Sequence, residues 1–211
     1  MEKEGTNMKI TISTSNSKLG YAIPTISLPP QCSCRKDAPC AKGCYGKKGT
    51  FLYKNVQESH MVNYKAYAEN PDAYFDEIIA YLSNPLITHR FFRWHTVGDI
   101  VDERYLIGMI KVAKRCKGTK FLCFTKKFDI VNEYITQGGK IPSNLRIVFS
   151  AWSKGFKVSN PYNFPVAYVF FRKADMNPAI PEMAIPCKGH CPECLACWSL
   201  KKGQAVYFNE H

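Results

Sequence analysis

The sequence of 211 residues contains no apolar run long enough to cross a membrane, no internal repeat and no low-complexity tract. Residues 1–13 lack the apolar stretch of a secretory signal and carry Glu2 and Glu4. These absences predict a cytoplasmic protein without a membrane partner, in a compartment where thiols stay reduced. The hydrophobic content of 45% excludes wholesale disorder, and the length suits one domain, with or without a small appendage.

Acidic residues are scarce. The chain has 17 Asp and Glu against 29 Lys and Arg, which gives a formal net charge of +12. This balance favours partners that carry phosphate, so nucleic acid or a nucleotide is the predicted partner. A merely soluble basic surface explains the charge equally well, and thiolates at a metal centre would reduce the excess.

Cysteine is abundant, and eight of the ten cysteines lie in two short loops. A disulfide framework would need a secretory context, whereas closely spaced thiols inside a cell are typical ligands of iron–sulfur clusters or zinc. The predicted metal ligands of the first cysteine loop, residues 32–44, are Cys32, Cys34, Cys40 and Cys44. Those of the second cysteine loop, residues 187–197, are Cys187, Cys191, Cys194 and Cys197.

The two loops differ in spacing. The second has thiols at intervals of three, two and two residues, close to the ferredoxin pattern for a [4Fe–4S] cluster. Its first three thiols also match the spacing of radical S-adenosylmethionine enzymes, and the fourth, Cys197, would close the cluster. In the first loop Cys32 or Cys34 would join Cys40 and Cys44. The loops hold one centre each or share one cluster, and zinc, with His190 as a further ligand, is the alternative metal.

Apolar patterning predicts helices and strands in alternation. The predicted strands are 9–13, 22–28, 89–94, 120–124, 145–149 and 166–171. The predicted helices are 54–69, 71–83, 102–115 and 128–136, with Asn70 and Asp102 as N-caps. The expected fold is α/β: a partial (β/α) barrel or a layered, mostly parallel sheet with helices, with cysteine-rich loops near both ends. We expect a β/α domain over 1–175 and a cysteine-rich extension over 176–211 that packs on it.

Polar side chains follow the predicted strands at the edge where such folds place their chemistry. His95 and Asp99 follow the third strand, Lys126 the fourth and Ser150 the fifth. We predict that Asp99, His95 and Lys126 take part in catalysis, His95 because imidazole titrates in the range suited to acid–base work. Ser150 is predicted to contact a cofactor. Cys123, inside a strand, is predicted to be a buried apolar residue instead of a ligand.

The combination of SLPPQCSCRKDAPCAKGCYGKKG, FRWHTVGDI, FLCFTKK and CPECLACW resembles the phage-associated Gene product 88 domain family over residues 13–198. That family is similar to radical S-adenosylmethionine-like partial barrels. The resemblance implies that Gly98 and Asp99 lie against the amino group of S-adenosylmethionine as cofactor-binding residues. It also implies a host cytoplasm as the location if the chain is phage-encoded.

The leading functional prediction is an iron–sulfur protein with one or two [4Fe–4S] clusters, a radical S-adenosylmethionine-like enzyme acting on a nucleic acid, a nucleotide or another anionic substrate. The alternative is a zinc-binding module that grips nucleic acid or a host protein without catalysis. A third hypothesis is a redox or iron sensor with an oxygen-labile cluster.

Overall fold

The computed structural model describes residues 9–14 and 16–210, and its centre is a single sheet. In chain order the strands are β1 (Thr25–Ile26), β2 (Phe91–Trp94), β3 (Lys120–Thr125), β4 (Leu145–Ser150), β5 (Val166–Phe170), β6 (Ile185–Pro186) and β7 (Ala205–Asn209). The α-helices are α1 (Pro30–Ser33), α2 (Lys54–Glu69), α3 (Pro71–Leu82), α4 (Glu103–Arg115), α5 (Phe128–Thr136), α6 (Cys191–Cys194) and α7 (Ala196–Ser199). Short 3-10 turns span Tyr45–Lys47, Gly49–Leu52 and Ala174–Met176.

All strand pairs are parallel, in the order β1-β2-β3-β4-β5-β7-β6. The sheet is open and flanked by helices, so the predicted α/β class is confirmed in its layered form, without closure into a barrel. Parallel neighbours need crossover connections, and α4 and α5 supply two of them, between β2 and β3 and between β3 and β4. This arrangement brings the loops that follow β1, β2, β3 and β4 to one edge.

The predicted helix caps are confirmed. The Asn70 side chain accepts a hydrogen bond from the Ala73 N–H at 3.1 Å, and Pro71 occupies the first helical position. The Asp102 carboxylate accepts from the Tyr105 N–H at 2.8 Å. Each cap pairs a backbone donor that the first helical turn leaves without an intrahelical partner, and so fixes where α3 and α4 begin.

One face of the sheet, the helix-covered face, packs against α2, α3, α4 and α5. The second and fourth residues of β2, Phe92 and Trp94, are fully buried there. Helices α3 and α4 come close because Gly108 presents no side chain: a Cβ atom at this position would lie 1.9 Å from the ring of Phe75. Most of the apolar core therefore lies on this face.

The opposite, loop-covered face packs against residues from both ends of the described chain. Leu122 of β3 and Val148 of β4 point to this side, because they alternate along their strands with residues of the helix-side core. Leu19, Trp198 and Leu200 cover them. The second cysteine loop thus sits on a different face of the sheet from the long helices.

Two predicted strands need correction, and the strands β6 and β7 were not predicted. Residues 9–13 form only an isolated antiparallel bridge between Ser13 and Thr25, and the strand predicted over 22–28 is reduced to β1, because Pro24 offers no N–H to a ladder. The C-terminal strand β7 was missed. It pairs with β5 on one side and β6 on the other, contacts between segments far apart in sequence. Among the helices of the described residues, none has the length and apolar character needed to span a membrane.

Candidate metal centres and the strand edge

The loop after β2 is fixed to β1 and to the first cysteine loop. The Leu28 N–H donates to the Val97 carbonyl at 3.1 Å. Gly98 has φ +96°, and a Cβ there would lie 2.6 Å from the Leu28 carbonyl oxygen and 2.9 Å from Ser33 Oγ. Glycine is required at this position both by the backbone conformation and by the close approach. In this structure Gly98 therefore shapes the loop, and contact with a cofactor stays a prediction.

Asp99 is 5% exposed and joins three segments. Its Oδ1 accepts from Thr125 Oγ1 at 2.6 Å and from the Ile100 N–H at 2.8 Å, while Oδ2 accepts from the Lys126 N–H at 2.9 Å. Its own N–H donates to Ser33 Oγ at 3.2 Å. Burial raises the pKa of this carboxyl, against the opposing effects of the Thr125 hydrogen bond and the Lys126 N–H. Asp99 thereby connects the end of β3 with the first cysteine loop.

Cys34 of the first cysteine loop directly follows Ser33, which binds Asp99. Burial raises the pKa of Cys34 to about 12, and the charges of Asp99, Cys40 and Cys44 act in the same direction. The positive charge of Lys126 opposes them. Cys34, Cys40 and Cys44 therefore remain the candidate ligands of the first cysteine loop at the strand edge. The sequence left Cys32 and Cys34 as alternatives to join Cys40 and Cys44. The contact between Ser33 and Asp99 favours Cys34, whereas Cys32 lies within α1.

Lys126 reaches across the same edge. Its Nζ donates to Ser150 Oγ at 3.4 Å and lies 5.4 Å from the ring centroid of Trp152. Three predicted site residues, Asp99, Lys126 and Ser150, thus meet next to the first cysteine loop. The arrangement offers a buried carboxylate and a half-buried ammonium beside a group of thiols, and it fits a polar or charged ligand.

The first cysteine loop is held to this edge by contacts with the loop after β2. The Tyr45 hydroxyl donates to the Thr96 carbonyl, and a Cβ at Gly46 would lie 2.8 Å from Val97 Cγ1. On the far side, Arg35 Nη1 pairs with Asp129 of α5 at 3.3 Å. These contacts fix the first cysteine loop at the strand edge.

All four cysteines of the second cysteine loop line one small cavity of about 20 Å³. The apolar residues Ile185, Leu195 and Val206 form part of its wall, and His190 lies at the same cavity. Four half-buried thiols with apolar surroundings are a donor set that suits a [4Fe–4S] cluster or a zinc ion. The predicted ligands Cys187, Cys191, Cys194 and Cys197 are therefore brought together.

The backbone around this cavity is tied to both ends of the described chain. The Cys187 N–H donates to the Tyr207 carbonyl of β7 and the Cys191 N–H to the Lys18 carbonyl, each at 2.9 Å. Trp198 is 5% exposed, and its indole N–H donates to the Phe92 carbonyl at 3.3 Å. Trp198 thus anchors this loop in the core on the loop-covered face of the sheet.

All ten cysteines are free thiols, and Cys123 is fully buried in the helix-side core, as predicted. In the part of the chain that the structure describes, no group of three or more His, Cys, Asp and Glu side chains has the arrangement of ligands around a single ion. Thiolates of a cubane cluster each bind a different iron, so a cluster site need not have that arrangement.

His95 lies elsewhere. It has φ +54°, which turns its side chain to the helix-covered face, where it is 3% exposed and its Nε2 lies 3.0 Å from the Tyr105 hydroxyl oxygen. Burial, together with the charges of Arg93 and Lys127, lowers its pKa to about 3. A neutral, buried imidazole is not open to a substrate at the strand edge, so the geometry gives no support to the predicted catalytic role.

The burial of His95 predicts a dependence of stability on pH. Because the pKa is lowered in the folded state, the unfolded chain binds the proton first, and the free energy of unfolding falls as pH drops below the ordinary value of 6.5. Between pH 8 and pH 5 we expect His95 to contribute a loss of about 2 kcal/mol. His95→Asn, which tolerates the left-handed backbone, should remove this part of the slope in urea unfolding. Equal slopes for the two proteins would contradict the prediction.

Sequence reasoning missed Ser33, Thr125 and Arg93. Ser33 and Thr125 bind Asp99, and their ordinary loop and strand contexts gave no signal. Arg93 did give a signal in the sequence, because it interrupts the apolar strand FFRW. Its guanidinium lies on the loop-covered face, 4.5 Å from the ring centroid of Phe124.

A family model described as Gene product 88 matches residues 2–205, nearly the whole chain. This confirms the family predicted from the motifs and supports the phage association. No curated protein and no solved structure matches.

Proposed function

The chain belongs to the Gene product 88 family, and for this member we propose an iron–sulfur protein with two distinct centres. The observation that carries the proposal is the cavity lined by four thiols of the second cysteine loop. Cys187, Cys191, Cys194 and Cys197 would hold a [4Fe–4S] cluster with every iron ligated, as for a centre that transfers electrons or stabilises the fold.

The first centre would be of a different kind. Cys34, Cys40 and Cys44 would supply three ligands and Cys32 would stay outside the centre, with Cys34 near Asp99 and Lys126. A cluster with one open iron can bind the methionyl part of S-adenosylmethionine and initiate radical chemistry. Asp99 would then receive the ammonium group of the cofactor, and Lys126 and Ser150 would bind anionic or hydroxyl groups at the same edge.

An anionic substrate is supported by the charge around the first cysteine loop. Four exposed lysines surround it, Lys36, Lys42, Lys47 and Lys48, and Asp37 is the one acidic residue between positions 32 and 48. Exposed cations around a reaction centre attract phosphates and raise the rate of encounter. We therefore propose a nucleic acid, a nucleotide or another anionic molecule as the substrate, with no assignment among them.

A zinc-binding module is the second candidate, and one observation favours it. His190 lies at the cavity of the second cysteine loop, so thiols and an imidazole are available for a four-ligand zinc site. Such a protein would bind nucleic acid or a host protein through its basic surface and would not be an enzyme.

Metal analysis of the full chain separates the two. Purified without oxygen, the protein should carry about eight irons and eight sulfides for two cubane clusters, with the broad visible absorbance of sulfide-bound iron. Reduction in the presence of S-adenosylmethionine should then release methionine if the first centre is open. Colourless protein with stoichiometric zinc would overturn the proposal in favour of the module.

A further inference from the structure

Arg93 stands on the loop-covered face of the sheet. Its neighbours in β2, Phe92 and Trp94, point into the helix-side core, so Arg93 points to the opposite side. There its guanidinium carbon lies 4.5 Å from the ring centroid of Phe124, and the side chain is half-buried. A strand interior is an unusual place for a cation, because a buried charge is costly unless it is paired.

Arg93 has no carboxylate partner among the described residues. Its Nε is buried and forms no hydrogen bond with any of them. The neighbouring Thr25, which is in register with Arg93 across the β1–β2 pair, is 2% exposed and has an unpartnered hydroxyl. Two adjacent polar groups therefore face the same space without a protein acceptor.

The ring of Phe124 under this guanidinium packs against the same core as Cys187, Cys191 and Cys197 of the second cysteine loop. The second cysteine loop lies on this face: α7 packs on β3 and β4, and the Trp198 side chain reaches β2, with its ring 5.8 Å from that of Phe91 between centroids and its N–H bound to the Phe92 carbonyl. Arg93 and the second cysteine loop therefore pack on the same core, on the loop-covered face of the sheet.

We propose that Arg93 is the cationic partner of the second centre, with its guanidinium compensating the charge of the thiolates and its Nε–H donating to a sulfur. The inference rests on the proposed function. A [4Fe–4S] centre with four thiolates is negative, and one-electron reduction adds a further negative charge. A nearby cation and a hydrogen bond to sulfur stabilise the reduced form more than the oxidised one, so Arg93 raises the reduction potential. It is a positioning residue and not a ligand.

The test is a redox titration of the full chain, loaded without oxygen and reduced stepwise with dithionite. A Cys40→Ser, Cys44→Ser background empties the first centre, so that electron paramagnetic resonance reports the second alone. We expect Arg93→Gln to shift the midpoint potential to more negative values and Arg93→Lys to shift it less. Arg146→Gln is the matched control, because Arg146 lies in the same register row and also has a buried, unpartnered Nε. Arg146→Gln should shift the potential less than Arg93→Gln, because Arg146 lies two strands away from Arg93 in that row.

A second measurement needs no substitution at Arg93. In protein grown with arginine carrying a heavy nitrogen isotope, the reduced second centre should show a magnetic coupling to an arginine nitrogen, present also in Arg146→Gln. Absence of that coupling, or an unchanged potential in Arg93→Gln with full iron content, would overturn the role of Arg93 and leave the proposed function standing. A wild-type protein that takes up no iron–sulfur cluster would overturn both.

Discussion

Cys194→Ser combined with Cys197→Ser should remove about half of the iron and sulfide from the anaerobically purified protein. Both thiols line the four-thiol cavity, whereas the first cysteine loop stands with Asp99 and Lys126 at the strand edge. Cys40→Ser combined with Cys44→Ser should remove the other half. Cys116→Ser, outside both loops, is the matched control and should retain all the iron.

The two double variants should differ in stability as well. Cys191 and Cys197 pack against the loop-side core, and Trp198 next to them is buried in it. Because a structural cluster couples its binding free energy to folding, loss of the second centre should lower the melting temperature more than loss of the first. The first cysteine loop packs mainly through Tyr45, Gly46 and Arg35 at the sheet edge, and those contacts do not need its thiols.

The same measurements decide whether the loops share a cluster. If both loops contributed ligands to one centre, either double variant would lose all the iron. Complete loss in both would contradict the division into two centres while leaving iron–sulfur chemistry in place.

Asp99→Ala should lower the free energy of unfolding by about 2–4 kcal/mol, because it leaves three donors buried without their acceptor. These donors are Thr125 Oγ1 and the N–H groups of Ile100 and Lys126. Asp129→Ala is the matched control: its side chain is 69% exposed and pairs only with Arg35 among the described residues, so the loss should stay within about 0.5 kcal/mol. Urea unfolding of the three proteins measures the difference.

Asp99→Asn separates structure from cofactor binding. The amide keeps the shape of the side chain and the acceptor oxygen for Thr125 and Ile100, but its NH2 group faces the Lys126 N–H. The free energy of unfolding should therefore fall by less than in Asp99→Ala, and the iron content should be retained. If the carboxylate receives the ammonium group of S-adenosylmethionine, affinity for that cofactor should fall at least tenfold, which isothermal titration under anaerobic conditions can measure. Simultaneous loss of iron and of cofactor binding would assign Asp99 to the architecture of the first centre instead.

Local features were readable from the chain alone. Helix caps at Asn70 and Asp102 act through groups three residues apart, so the sequence carries the whole interaction. The alternation of apolar strands and helices likewise indicated parallel pairing, because parallel neighbours require crossovers. The density of thiols in two loops predicted metal ligands there, and the order of motifs identified the family.

Other features depended on contacts between distant segments. Strand β7 joins the sheet only because β5 and β6 offer it partners, and a short apolar run gives no sign of its neighbours. The left-handed backbone at His95 sends its imidazole to the side opposite to the one that strand alternation would give. The meeting of Cys34 with Asp99 and of Arg93 with the second cysteine loop follows from the same long-range packing.

The sequence by itself thus determined the residue types available for chemistry and the local elements that carry them. The tertiary structure decided which thiols share a cavity, which ones stand beside a carboxylate and a cation, and which titratable groups are removed from solvent. The physical reason is that spacing along the chain fixes local geometry only. The environment of a side chain depends on the register of strands and on the surfaces that distant segments bury against each other.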